Sequence, residues 1–230
     1  MSREWHIALA GEGGQGVQVV GEILALAGYK AGKEAIYIPN FGVEQRGGVS
    51  IAFVQIADTA LGSPKFAKAD VLVALSQRAI ERTRGYIQPE TIYIYETSAL
   101  EVPHLNDQAV GIQAWETVAP EGFSLMVGHQ ADEPSRPPPG TALRPGNIVG
   151  IPAAEIAKNE LIPRVFNIII LGAIVGASQV LPEDVVREAL MDKLGAKFKD
   201  KPELEELNLK ALQRGIDFAR QQGRGQANDE

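Results

Sequence analysis

The stretch Gly11–Val17, GEGGQGV, constrains this chain more than any other. It sits between an apolar run and a helical repeat. "WHIALA" (5–10) reads as a short buried strand that stops at Gly11. Beyond the glycines, Val17, Val20, Ile23, Leu24, Ala27 and Ala31 recur at helical spacing, and Gly32 falls in the C-cap region. "EAIYI" (34–38) is a second strand, stopped by Pro39 and Asn40. Strand, glycine-rich turn, helix and strand in that order predict a right-handed βαβ unit with parallel strands.

The alternation continues. "GVSIAFVQIA" (48–57) reads as a long strand, "DVLVAL" (70–75) as a buried one, and "TIYIY" (91–95) as an alternating strand nearer an edge. A helix is expected around Gln77–Arg84, and one or two short strands within 109–127. "DEPSRPPPGTALRPG" (132–146) holds too many prolines for helix or central strand and reads as an exposed insertion. Strand character resumes at "NIVGIP" (147–152). Helices follow near Ala153–Asn159, at Asn167–Ala177, after Pro182 at an N1-like position, and along Leu204–Ala219. The expected fold class is α/β: an open, mostly parallel sheet flanked by helices, Rossmann-like, with C-terminal helices. One domain spans residues 1–222, and 223–230 are expected to be a disordered tail.

Composition narrows the function. The chain has 230 residues, 45% of them hydrophobic, which is ample for one core. A net charge of −7 gives no general footprint for nucleic acid. The absence of cysteine excludes disulfides, cysteine-ligated zinc and cysteine-ligated iron–sulfur clusters within the chain. Ile168–Ala177, the longest apolar stretch, is about half a membrane span and carries glycines. No membrane contact is expected, and the cytoplasm is the expected location.

Gly11, Gly13 and Gly16 fit the pattern G-x-G-x-x-G, with Gly14 and Gln15 in addition. A strand that feeds a helix through such a turn aims backbone N–H groups at an anion, usually a phosphate. The bland alternative is that the glycines only permit tight strand–helix packing. A dinucleotide site needs an acid at the end of the second strand. Here that strand ends "IYIPNFG", and Glu34 opens it instead. The hook for ribose is missing. A second polar loop, "NFGVEQRGGVS" (40–50), leaves the second strand at the same sheet edge. There Arg46 could complement a phosphate or carboxylate held near Gly13–Gly16, and Gly47 and Gly48 would permit close approach. The alternative for Arg46 is a surface pair with Glu44. His6, His104 and His129 show no catalytic or metal-ligand spacing, and His6 reads as a packed strand residue.

"GEGGQGV", then "IPNFGVEQRGG", then "SPKFAKADVLVAL" (63–75) together resemble the gamma subunit, or gamma domain, of the 2-oxoacid:ferredoxin oxidoreductases of the pyruvate, 2-ketoisovalerate and indolepyruvate type. "IPAAEIA" (151–157), "NIIILGA" (167–173) and "NLKALQRG" (208–215) extend the resemblance across about Ile7–Gly215. The departure is at 132–146, a lineage-specific insertion on this reading. The resemblance implies an accessory subunit of a complex that oxidatively decarboxylates a 2-oxoacid to an acyl-coenzyme A. Its thiamine diphosphate, magnesium and iron–sulfur clusters would then belong to alpha, beta and in some complexes delta subunits, with ferredoxin served through the complex. The chain agrees: it has no cysteine and no Gly-Asp dipeptide for a thiamine-diphosphate magnesium motif. The resemblance also implies that Gly11, Gly13, Gly14, Gln15, Gly16, Arg46, Gly47 and Gly48 are the place to meet coenzyme A, with no catalytic residue and no metal site in this chain. A free-standing Rossmann-like nucleotide-binding protein is the alternative.

Overall fold

The computed structural model describes residues 3–41, 48–99 and 147–226. The short strands expected at 109–127 and the proline-rich insertion at 132–146 lie outside them. Six strands form one sheet among the described residues: β1 (Glu4–Gly11), β2 (Glu34–Asn40), β3 (Ser50–Ala57), β4 (Val71–Ala74), β5 (Ile92–Glu96) and β6 (Ile148–Ile151). Their spatial order is β2-β3-β1-β4-β5-β6. β1, β4, β5 and β6 run parallel, while β3 is antiparallel to both β1 and β2. The helices are α1 (Val17–Lys30), α2 (Gln77–Thr83), α3 (Ala153–Glu160), α4 (Phe166–Ser178), α5 (Glu183–Asp200) and α6 (Glu203–Gln226).

The sheet is open and mostly parallel, as expected, with one correction at its start. β2 does run parallel to β1, but β3 lies between them. The segment 41–49 is too short for the crossover of a dozen or more residues that a parallel neighbour needs. The chain therefore folds back, and β3 pairs with β2 on one side and β1 on the other. A second correction concerns β5, which is interior and not near an edge. In its "IYIY" alternation, Ile94 faces one core cluster while Tyr93 and Tyr95, both 0% exposed, face the other. The alternation separates two buried faces, not a wet face from a dry one.

Those faces are built differently. On the first, Trp5, Ile7 and Leu9 of β1 meet α1 and the C-terminal helices. On the second, the apolar residues of β1 are Ala8 and Ala10, and α2 packs there with Phe53, Phe66 and Tyr86. α1 and α2 thus leave the sheet on opposite sides. The strand order reverses between β1 and β4, the kind of crevice where open α/β sheets hold ligands.

α4 is apolar all round and buried, and it runs against α6 through glycines. Three backbone contacts explain the closeness. A Cβ at Gly172 would stand 2.2 Å from the Leu212 carbonyl oxygen, one at Gly176 2.5 Å from that of Ile216, and one at Gly215 2.0 Å from that of Ile169. The glycine spacing in α4 serves an intramolecular helix pair. Arg214 of α6 adds a two-pronged contact to Glu160 of α3 at 2.8 and 3.0 Å. Two boundaries also move. Pro182 is the N-cap of α5 and not its first residue, so the helix starts at Glu183, one residue later than expected. α6 continues through Gln226, past the expected tail boundary at 223, because Gln and Arg sustain a helix. Among the described residues no helix is long and apolar enough to cross a membrane.

Candidate functional site

Register brings the two polar loops together. Gly11 at the end of β1 pairs with Ser50 at the start of β3, and Asn40 at the end of β2 pairs with Ile51. Both loops leave the sheet at one edge, as the sequence predicts. Glu34 pairs with Ala57 at the far edge, so no acid of β2 approaches the glycines. Of the second loop, Gly48 is described and half-buried; Arg46 and Gly47 lie outside the described residues.

The first loop is a turn with a staple. The Gln15 N–H donates to the Glu12 carbonyl at 3.2 Å, with Gly14 at the third position of that turn. The φ of Gly14 is +94°, which a type II turn requires there and side-chain-bearing residues avoid. The Gln15 side chain folds back. Its Oε1 accepts from the Glu12 N–H at 2.7 Å, and its Nε2 donates to the Leu75 carbonyl at 3.0 Å. Gln15 thus bridges β1 to the end of β4, across the crevice.

The glycines divide into two kinds. A Cβ at Gly11 would fall 2.7 Å from Gln15 Oε1 and 2.8 Å from a Val17 methyl. One at Gly16 would fall 2.7 Å from Asn167 Nδ2, and the φ of Gly16 is +72°. These two are fixed by packing. Among the described residues, Gly13 and Gly14 have nothing within 4 Å of an added Cβ. They form the open tip, and Gly13 has no positive φ. Gly16 caps α1 with no side-chain bond to the first turn, and that turn holds no acid. Its N–H groups and helix dipole remain suited to an anion.

Two polar groups escape sequence reading. Gln18 of α1 donates to the Ile51 carbonyl at 3.4 Å and accepts from the Tyr37 hydroxyl at 2.7 Å, tying the first turn of α1 to the β2–β3 hairpin. Burial, with Glu22 nearby, pushes the Tyr37 hydroxyl pKa up. At the end of β5, Glu96 is 1% exposed. Its Oε1 accepts from the Ser98 N–H at 2.9 Å and from the Ser98 hydroxyl, and its Oε2 from the Ala154 N–H at 3.2 Å. It caps α3 from across the sheet edge. Burial raises its carboxyl pKa above the usual range, against the pull of those donors. A lone Glu closing an apolar strand gives no sequence signal for this.

His6 lies at the opposite edge. Its ring stacks on Phe66 at 4.8 Å, and its Nε2 is 2.9 Å from Glu4 Oε1. It is a packed strand residue, as expected; His104 and His129 lie outside the described residues. Among the described residues no group of three His, Asp or Glu side chains could hold a metal ion.

Comparison with known proteins shows the family. The family model described as pyruvate ferredoxin/flavodoxin oxidoreductase matches residues 6–218. Ketoisovalerate oxidoreductase subunit VorA of Methanothermobacter marburgensis is 29% identical over 97% of this chain, which spans 38% of that protein. A 2-oxoglutarate:ferredoxin oxidoreductase structure from Magnetococcus marinus, with 2-oxoglutarate, coenzyme A and succinyl-CoA bound, matches 95% of this chain and 31% of its own at 25% identity and a TM-score of 0.68. The gamma subunit of a keto/oxoacid ferredoxin oxidoreductase from Geobacter sulfurreducens matches over 94% of this chain and 98% of its own, at 25% identity and a TM-score of 0.62. The chain thus spans well under half the length of some relatives and nearly all of another.

Proposed function

Since the chain belongs to the pyruvate ferredoxin/flavodoxin oxidoreductase family, we propose that it acts as the gamma-type subunit of a multi-chain 2-oxoacid:ferredoxin oxidoreductase. The observation that carries this is the end-to-end match to a separate gamma subunit. The chemistry agrees. Acyl transfer to coenzyme A from a 2-oxoacid needs an electron path, and a chain without cysteine offers no ligands for iron–sulfur clusters. Decarboxylation and electron transfer belong to partner subunits on this reading, and the cytoplasm is its setting.

The role of this chain is to hold coenzyme A. Gly13 and Gly14 form the tip that lets a phosphate of the coenzyme approach the backbone. Gly11, Gln15 and Gly16 shape the turn behind it. On the sequence expectation, Arg46, Gly47 and Gly48 of the second loop belong to the same site. The supporting facts are the open tip, the acid-free first turn of α1, and the missing ribose acid. The coenzyme A bound in the Magnetococcus protein supports the same choice.

The isolated chain is expected to be inactive. Purified from its source under native conditions, it should bring larger chains carrying iron and thiamine diphosphate. Viologen reduction with a 2-oxoacid by this chain alone would overturn the proposal.

Gly13→Val is the sharper probe of the loop. No described atom lies within 4 Å of the added Cβ and the position has no positive φ, so stability should hold. It occupies the space the phosphate needs. Loss of one charge-assisted contact corresponds to about 1.5–3 kcal/mol, roughly a ten- to hundredfold weaker affinity for coenzyme A. Calorimetric titration of the assembled complex measures it. Unchanged affinity in an intact complex would return the loop to a packing role.

A further inference from the structure

β2 stands at one end of the sheet. It pairs with β3 on one side, and no described strand lies on the other. An open row of N–H and C=O groups is a template for pairing, and natural edges are blunted by lysines, bulges or short length. β2 lacks these devices. It runs for seven residues without a lysine, and its register with β3 is one to one from Glu34 to Asn40. Pro39 is its one interruption. A proline fits a ladder where its nitrogen faces away from the neighbouring strand. In phase with it, the backbone groups of Ala35 and Tyr37 face outward too.

Two aromatic side chains mark the ends of this edge. Among the described residues, the large apolar side chains that stand exposed are Tyr29, at 75%, and Phe41, at 68%. Tyr29 is in the last turn of α1, just before β2, and Phe41 follows Asn40 at the other end. α1 lies over β2 and β3. A Cβ at Gly21 would be 2.9 Å from both Tyr37 and Ala52, and one at Gly28 3.1 Å from Ala35. By helical period, Gln18, Ala25 and Tyr29 then share the stripe turned toward the open side of β2. Gln18 meets the Tyr37 hydroxyl there. A single exposed aromatic is ordinary. One at each end of an open strand is self-complementary, because a second strand laid antiparallel brings each end against the other.

We infer that β2 is the contact between two copies of this chain, paired antiparallel about a two-fold axis at Ile36. In this register Ala35 of each copy exchanges backbone hydrogen bonds with Tyr37 of the other, once on each side of the axis. Pro39 falls outside those bonds. Glu34 stands opposite Ile38 of the second copy, so no like charges are opposed. Phe41 of each copy lies beside the α1–β2 turn of the other, where Tyr29 stands. The two-fold axis keeps both α1 helices on one face of a continuous sheet. Each lies between its own β2 and β3, which sets the two axes about 10 Å apart, a helix-packing distance. Ala25, half-buried on the facing stripe, leaves room for that approach. Pairing consumes β2 in both copies, so the assembly closes as a dimer and does not propagate. The inference does not depend on what the glycine loop binds.

The chain has no cysteine, so an introduced one reports on a single position. Under mild oxidation the full chain carrying Ile36→Cys should form a disulfide-linked dimer. A residue on the axis faces its own copy at about 4.5 Å between Cα atoms, within disulfide reach. Ile38→Cys is the control. Its own copy lies about 13 Å away along the paired strands, so it should stay a single chain on a non-reducing gel. Light scattering of the wild type at about 100 μM should give twice the mass of one chain. Tyr29→Lys and Phe41→Lys replace exposed side chains, so each should leave the melting temperature unchanged and raise the dimer dissociation constant roughly tenfold. A wild type of single-chain mass at that concentration overturns the inference. So does crosslinking of Ile38→Cys as readily as Ile36→Cys, which marks random collision. A dimer that survives both lysine variants without crosslinking at Ile36→Cys forms elsewhere and overturns it too. If Ile36→Cys instead crosslinks to a larger chain of the assembled complex, the edge belongs to a partner subunit; the inference then fails while the gamma-type reading stands.

Discussion

Gly215→Ala is expected to destabilise the fold by about 3–5 kcal/mol, against the usual direction of a glycine-to-alanine change in a helix. Alanine normally gains up to about 1 kcal/mol over glycine in a helix interior. Here the new Cβ would stand 2.0 Å from the Ile169 carbonyl oxygen and 2.9 Å from the Ala173 nitrogen. Both are backbone atoms of α4 and cannot rotate away. The helices must part, and Gly172 and Gly176 lose their own seats against Leu212 and Ile216 in the same movement. The apolar surface on α4 and α6 then packs less densely along the whole contact, which forfeits dispersion at many atoms. Gly195→Ala in α5 is the control. Nothing lies within 4 Å of its added Cβ, so it should stabilise by about 0.5–1 kcal/mol. At about 2–4 °C per kcal/mol for a chain of this size, the melting temperature should fall by roughly 6–20 °C in the first variant and rise by a few degrees in the second. A Gly215→Ala protein that melts at or above the wild type would show that α4 and α6 are not in backbone contact at Gly215.

The same helices show where the sequence runs out. Gly172 and Gly176 four residues apart in an apolar run announce a close approach, but nothing local names α6 as the partner. That choice is made by residues about 40 positions away. The opening unit was legible because its period changes from strand to helix across the glycines, and because loops at the ends of successive strands share an edge. The place of β3 was not, because pairing depends on loop length and tertiary competition more than on the composition of "SIAFVQIA". β5 misled because tyrosine carries a polar tip on a large apolar body, so an Ile/Tyr alternation resembles a half-wet strand. At the candidate site, the glycine pattern marks the sheet edge where both loops leave without sorting its members. Gly11 and Gly16 are held by Gln15, Val17 and Asn167, and Asn167 comes from a helix that the loop sequence cannot foresee. The sequence offers no sign that both ends of the Gln15 amide serve the turn and the end of β4.

Glu96→Ala is expected to cost about 2–4 kcal/mol near neutral pH, a large effect for a residue that touches no proposed ligand. Removing the carboxylate leaves the Ala154 N–H, at the start of α3, and the Ser98 N–H without their acceptor. Each buried donor left unpaired costs about 1–3 kcal/mol. Against this, the wild type bears the cost of burying a charge, and that cost sets the pH dependence. Because burial raises the folded-state pKa above that of the unfolded chain, the Glu96 contribution is fully present below the unfolded value, about 4.3. It diminishes as pH rises through the folded-state value. The stability gap between wild type and Glu96→Ala should therefore be wider at about pH 5 than at about pH 8. Urea unfolding of both proteins at the two pH values measures it, and the paired comparison cancels the surface carboxylates Asp58, Glu160 and Glu206. Those three have lowered pKa values and act in the opposite direction. A gap that widens with rising pH would mean that the donors of Ser98 and α3 outweigh burial and hold Glu96 as a stable anion. The end of β5 would then be a preformed negative site at the ligand edge of the sheet, and a phosphate at the neighbouring loop would have to bind against it.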